Sequence, residues 1–170
     1  MTSKETFMEH QLARPLLSRR VIRSVMGVSG THQRGLVFVA MSFRGKKSAD
    51  VFAALKAECK KLRLQAVRVD ESVGSGFIIR EIVELIEKAE FLIFDLTGER
   101  PNVYYELGYA HGVGNKPLDI LLLAKKGTKL HFDIAPLRVH FYDSENSLRG
   151  IVSRSLKQMI RKTRNPEDGA

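Results

Sequence analysis

Three largely apolar runs constrain the fold of this chain more than any other feature. They are Leu36–Met41, Phe91–Asp95 and Leu118–Ala124. A strand in the middle of a parallel sheet is covered on both faces, so runs of this kind predict central strands. Two other segments, Leu64–Val69 and Leu137–Tyr142, alternate polar and apolar residues and therefore predict the two edge strands.

Apolar residues recur at helical spacing between these strands, over residues 52–62, 78–89 and 148–160. Residues 125–136 are too few and too broken for a full helix, so the fourth crossover helix is expected to be shortened or missing. This alternation predicts a single flavodoxin-like three-layer α/β domain with a five-stranded parallel sheet in the order 2-1-3-4-5. Its ligand crevice is expected at the carboxyl ends of strands 1 and 3, where the strand order reverses.

The length of 170 residues and the 44% hydrophobic content suit one well-filled core. We expect a basic N-terminal arm and linker over residues 1–35, the α/β domain over 36–163 and a frayed C-terminus over 164–170. A single cysteine excludes an internal disulfide framework and suits a reducing compartment. No apolar run approaches the roughly 20 residues that cross a bilayer. The sequence therefore predicts a cytoplasmic protein without a membrane partner.

The formal net charge of +9 is concentrated at the two ends of the chain. Residues 1–35 hold six Lys and Arg against two Asp and Glu, and residues 149–170 hold the same numbers, whereas residues 36–148 are nearly balanced. Basic ends of this kind predict nonspecific contact with nucleic acid through counterion release. A merely solvated surface is the alternative, because no aromatic residues are interleaved with these charges to stack on bases.

Two loops are expected to flank the crevice, and the first follows strand 1. It begins with Met41, Ser42, Phe43 and Arg44, which we predict to contact the ligand, and Ser48 is predicted to cap the helix that follows. A basic loop leading into a helix can hold a phosphate through charge and backbone donors. The spacing of a Walker loop is missing, and solvated loop lysines are the simpler interpretation.

The second loop follows strand 3, which ends in Asp95. Asn102 comes directly after Pro101 and is predicted to cap a helix that carries Glu106 about one turn from its start, with Ala110 on the same face. Small residues on that face would permit close approach of a ligand. Glu106 is therefore a candidate for chemistry at the crevice, although an acid in the first turn can simply complement the helix dipole.

The run PNVYYELGYAHGVGNKP, residues 101–117, resembles the motif of the nucleoside 2-deoxyribosyltransferase-like and TIR-like nucleotide hydrolase group. In that group an N-x-x-x-E-x-G-x-A run precedes G-K-P and a strand, and a weaker similarity extends over about Leu36–Asp143. The resemblance implies a TIR-like domain in which Glu106 is the catalytic carboxylate at the anomeric carbon of a ribose. It also implies a homo-oligomer in which a neighbouring subunit completes the site.

The expected activity is N-glycosidic bond cleavage or ribosyl transfer on NAD or a related nucleotide, with no separate cofactor and no metal. A carboxylate stabilises or attacks the oxocarbenium-like carbon, and a purine leaving group calls for a second acid, Asp95 or Asp70. Tyr105 is a candidate for stacking on a base or binding a ribose hydroxyl. Two alternatives remain open: a non-catalytic nucleotide-binding or signalling module that uses the same crevice, and a nucleic-acid-associated protein that acts through its basic termini.

Overall fold

The computed structural model describes residues 33–43, 46–69, 75–134 and 136–164. The strands are β1 (Gln33–Ala40), β2 (Gln65–Val67), β3 (Ala89–Asp95), β4 (Ile120–Lys125) and β5 (Val139–Tyr142). The α-helices in these ranges are α1 (Lys46–Lys61), α2 (Ser75–Lys88), α3 (Pro101–Gly112) and α4 (Glu145–Arg164). Short 3₁₀ turns cover Pro117–Asp119, before β4, and Phe132–Ile134, between β4 and β5.

The five strands form one parallel sheet in the order β2-β1-β3-β4-β5. This is the flavodoxin-like arrangement, so the predicted fold class is confirmed. The prediction of a shortened fourth crossover is confirmed as well, because the only helical element described between β4 and β5 is the 3₁₀ turn Phe132–Ile134. The topological switch point lies between β1 and β3, as the apolar pattern indicated.

The core has one layer on each face of the sheet. Alternate residues of β3 enter opposite layers: Phe91 and Ile93 pack with α1 and α4, whereas Leu92 and Phe94 pack with α2 and α3. All seven residues of β3 are buried, which explains why its sequence is apolar throughout its middle. Replacement of a buried aromatic such as Phe91 by Ala is of the kind that costs about 3–5 kcal/mol of stability.

The starts of two helices differ from the predicted caps. Helix α1 begins at Lys46, two residues before Ser48, so Ser48 is not its cap. Helix α3 begins at Pro101 with Arg100 in the N-cap position, so Asn102 lies inside the first turn. Proline suits the first helical position because its φ is already helical and its missing N–H would have had no partner there. At the start of α4 the Ser144 hydroxyl accepts the Ser147 N–H at 3.2 Å and caps that helix.

A buried ion pair fastens the end of α4 to the amino-terminal edge of the sheet. Glu90, only 3% exposed, accepts hydrogen bonds from Arg164 Nε at 2.8 Å and Nη2 at 2.7 Å. The same carboxylate accepts the backbone N–H of Gly35 in β1. Residues 1–32 of the predicted N-terminal arm lie outside the described residues, whereas residues 33–35 belong to β1. The division of the chain into arm, domain and tail stays a prediction. Among the described helices none combines the length and apolarity needed to span a membrane.

Candidate functional site

Two adjoining clefts lie at the carboxyl-terminal edge of the sheet. The smaller cleft, of about 210 Å³, lies between the residues that follow β1 and the start of α3. The larger cleft, of about 430 Å³, extends from the same residues across the ends of β3, β4 and β5 to the starts of α1 and α4. Met41, Ser42 and Arg100 line both clefts. Together the clefts occupy the switch point, where open α/β sheets bind their ligands.

Five of the predicted site residues come together in the smaller cleft, which is lined by Met41, Ser42, Phe43, Asn102 and Glu106, with Arg100, Pro101 and Val103. Glu106 lies in the second turn of α3 and is half-buried in the cleft wall. A half-buried carboxylate in such a wall accepts hydrogen bonds from a neutral ligand hydroxyl, and it repels a phosphate placed directly against it.

Asp95 lies at the floor of the larger cleft and belongs to a hydrogen-bonded network. Its Oδ1 accepts the backbone N–H and the hydroxyl of Thr97, at 3.0 Å and 2.5 Å, and its Oδ2 accepts the hydroxyl of Tyr142 at 3.0 Å. The Thr97 hydroxyl in turn accepts the backbone N–H of Lys125 at 2.9 Å. The network therefore links the carboxyl ends of β3, β4 and β5.

Burial controls the protonation of this network. It raises the pKa of Asp95 above its ordinary value, while the hydrogen bonds from Thr97 and Tyr142 act in the opposite direction. Burial, together with the neighbouring Asp95 charge, raises the pKa of Tyr142 to about 12, so its hydroxyl stays a donor at neutral pH. Asp95 lines the larger cleft and Glu106 the smaller one. The two predicted catalytic carboxylates therefore do not face one common space.

Two other predicted residues, Tyr105 and Ala110, line neither cleft in the structure. Tyr105 is 71% exposed and lines neither of them, because consecutive helical residues point about 100° apart and Glu106 already faces the cleft. Ala110 is fully buried in the core layer with α2 and α3. Arg44 and Asp70 lie outside the described residues.

Three cations that line the clefts were not among the predicted site residues, and one of them, Lys47, was predicted only as part of a basic loop. Lys47 at the start of α1 and Lys125 at the end of β4 line the larger cleft, and Arg100 lines both. All three are exposed, and within the described ranges none of them has a carboxylate partner. The signal for Arg100 and Lys125 was their position, since each follows the carboxyl end of a central strand.

Two of the four acids that line the larger cleft are already paired with cations. Lys126 Nζ binds Asp143 at 2.7 Å, and Arg149 binds Glu145 at 2.7 Å. Asp95 has only neutral hydrogen-bond donors, which do not cancel the charge of a carboxylate. Among the described residues of the larger cleft, this leaves the acids Asp50 and Asp95 against the three cations. The cleft therefore offers a net positive charge to a ligand.

An unusual turn places Arg100 between the two clefts. The N–H of Glu99 donates to the carbonyl of Leu96 at 3.0 Å, and Gly98 has a φ of +76°. Glu99 follows with a φ of +48°, a left-handed conformation that is uncommon outside glycine and costs about 1–2 kcal/mol. Two successive residues with positive φ reverse the chain after β3, so that it enters α3 with Arg100 at the junction.

Metal binding finds no support in the described part of the chain, because it contains no group of three or more His, Cys, Asp or Glu residues placed to hold an ion. Comparison with known proteins gave no matching family model and no matching curated protein. Among solved structures, the chain is similar in shape to a diflavin flavoprotein A3 from Nostoc sp., with a TM-score of 0.49 and 13% identity. The similarity covers 83% of this chain and 97% of that chain.

Three expectations from the sequence are corrected at this point. The structural neighbour is a flavoprotein and not a hydrolase or glycosidase, so it lends no support to the predicted N-glycosidic cleavage or ribosyl transfer, or to NAD as a substrate, and these predictions are withdrawn. The expectation of no cofactor is withdrawn with them. Physically, an acid on the helix after β3, beside a switch-point crevice, suits many ligands of this fold, and a motif there does not fix the chemistry. At this identity the likeness concerns the fold and assigns no ligand to this chain.

Proposed function

We propose that the chain is a binding module for a small phosphate-bearing molecule held in the two clefts. The observation that carries this proposal is the convergence of Lys47, Arg100 and Lys125, without carboxylate partners in the described chain, on a crevice at the switch point. The starts of α1, α3 and α4 line the same clefts. Helix N-termini carry backbone donors and a partial positive charge, both of which favour an anion.

The two clefts suit different parts of such a ligand. The larger cleft contains all three cations and is the place for the phosphate. The smaller cleft contains Glu106, Ser42 and Phe43, which suit a neutral part that carries hydroxyl groups. Arg100 borders both parts. In this proposal Glu106 accepts hydrogen bonds from the ligand and takes no covalent part in a reaction.

The resemblance of residues 101–117 to the TIR-like and deoxyribosyltransferase-like group enters the proposal only as a similarity of site architecture. In both, a carboxylate on the helix after strand 3 borders the crevice. The homo-oligomer that the resemblance implied stays a prediction.

Calorimetric titration of the full chain tests the proposal with inorganic phosphate, AMP and flavin mononucleotide as probes. We expect Arg100→Ala to weaken each phosphate-bearing ligand about tenfold, the low end for a hydrogen bond to a charged group, because Arg100 is exposed. Lys56→Ala is the matched control, since Lys56 is an exposed cation of α1 that lines neither cleft. Absence of binding by every probe, or an equal loss in both variants, would contradict the proposal.

Glu106→Gln tests the division between the clefts. We expect this variant to bind AMP and flavin mononucleotide more weakly than the wild type, because an amide accepts a hydroxyl hydrogen bond less strongly than a carboxylate. Binding of inorganic phosphate should be unchanged, since it contacts only the larger cleft. A parallel loss for all three probes would show that the phosphate also lies at Glu106.

A further inference from the structure

Five exposed cations lie at the amino-terminal edge of the sheet, opposite to the clefts, and we call them the amino-edge patch. They come from the start of β1, the end of α1 and the connection after it, and the end of α4: Arg34, Lys60, Arg63, Arg161 and Lys162. Helices that follow parallel strands run back across the sheet, so the ends of α1 and α4 both return to this edge.

A close backbone contact and one ion pair join these elements. A Cβ added at Gly35 would lie 3.6 Å from the carbonyl oxygen of Arg63, so the starts of β1 and β2 meet there. The carboxylate of Glu90 accepts both the Gly35 N–H and the guanidinium of Arg164. Arg34 and Arg63 are therefore held on the same edge as Arg161 and Lys162.

Two acids near the patch, Glu90 and Glu58, already have cationic partners. Glu90 is bound by Arg164, and Glu58 is bound by Lys61 at 2.7 Å and by Arg149 at 3.2 Å. Within the described part of the chain, none of the five patch cations forms an ion pair. The patch therefore presents an uncompensated positive charge, which is the electrostatic footprint of a polyanion-binding surface.

We propose that the amino-edge patch binds the phosphate backbone of a nucleic acid duplex without reading its sequence. A duplex supplies a phosphate charge about every 1.7 Å along its axis, so one molecule can engage several cations and release their counterions. An anionic membrane would favour apolar side chains beside the charges. Of the large exposed hydrophobics described, only Leu118, just before β4, belongs to this edge.

The patch and the clefts are separate sites on one domain. Strand β1 has eight residues, which places its two ends about 25 Å apart at about 3.3 Å per residue. A duplex at the amino-terminal edge therefore leaves the clefts at the other edge open. The proposal does not depend on the identity of the small ligand.

The test uses the full chain and a fluorescent 20-base-pair DNA duplex, with the dissociation constant measured at several salt concentrations. The patch variant carries Lys60→Ala, Arg161→Ala and Lys162→Ala. The control variant carries Arg80→Ala, Lys129→Ala and Arg138→Ala, which removes three exposed positive charges outside the patch. Thermal unfolding of both variants checks that the fold is retained.

We expect the wild type to bind the duplex with an affinity that falls steeply with salt. The slope of log K against log salt should become less steep by about 2.7 in the patch variant, at about 0.9 for each phosphate that the variant no longer neutralises. The control variant should keep the wild-type slope. Equal slopes in the two variants, no binding of the duplex, or binding only to vesicles that contain phosphatidylserine would overturn the proposal.

Discussion

Tyr142→Phe is expected to weaken the network that joins the ends of three strands. The variant keeps the buried ring and removes one hydroxyl, which donates to Asp95 Oδ2 at 3.0 Å and lies 3.2 Å from the Thr97 hydroxyl. Because Tyr142 is 5% exposed and Asp95 is 4% exposed, water does not readily replace the lost donor. A hydrogen bond to a charged group contributes about 1.5–3 kcal/mol.

The corresponding assay is urea and thermal unfolding at pH 7. A loss of about 1.5–3 kcal/mol should lower the melting temperature by about 3–12 °C, at about 2–4 °C per kcal/mol for a domain of this size. Tyr105→Phe is the matched control, because that hydroxyl is on a side chain 71% exposed and its removal should change stability by less than about 0.5 kcal/mol.

The pH dependence of the difference in stability between the wild type and Tyr142→Phe gives a second check. Once Asp95 is protonated at low pH, its hydrogen bond with Tyr142 joins two neutral groups and contributes only about 1 kcal/mol. The difference in the free energy of unfolding between the wild type and Tyr142→Phe should therefore become smaller as pH falls. If Tyr142→Phe unfolds at the wild-type urea concentration, or if Tyr105→Phe loses as much stability, the network does not fasten the strand ends as described.

Two further predictions concern the same edge of the sheet. Burial raises the folded-state pKa of Asp95 above its ordinary 3.8, so the contribution of this carboxyl group to stability is complete below pH 3.8 and is lost as pH rises through the folded pKa. Asp95→Asn should remove that part of the pH dependence in melting curves recorded from pH 3 to 8. An unchanged pH profile in the variant would contradict this prediction. Gly98→Ala should cost about 1–2 kcal/mol in urea unfolding, because φ is +76° there although nothing lies within 4 Å of the added Cβ. Gly108→Ala, with similar open space but within helix α3, should instead gain up to about 1 kcal/mol, and the same sign in both glycine variants would contradict the backbone explanation.

The sequence predicted the sheet well because burial on both faces leaves a direct mark on composition. An apolar run as short as Phe91–Phe94 is typical of a strand covered on both faces, and three such runs with two alternating ones suit a sheet that has three central and two edge strands. The predicted cap Asn102 was wrong because Pro101 competes for the start of the helix with a locked backbone angle. Local patterns therefore located the elements to within a few residues.

The site was less accessible to sequence reasoning, since its charge depends on which groups are paired across the fold. Asp143 and Lys126 become partners only when β5 lies beside β4. Arg100 and Lys125 have no distinctive local context, and their role in the clefts follows from their lack of carboxylate partners in the described structure. Tyr105 was predicted to contact the ligand because it is an aromatic residue next to Glu106, but its side chain points to solvent.

The shortened connection between β4 and β5 leaves this side of the domain with fewer buried contacts than the centre of the sheet. Where a full helix would close the face shared with α2 and α3, only partly buried side chains such as Leu130, Ile134 and Leu137 pack against the core. Regions with few buried contacts open at lower free energy than the centre of a domain. The connection between β4 and β5 can thus open at a lower free energy than the paired strands of the sheet, so the fold joins a rigid sheet to an adjustable connection.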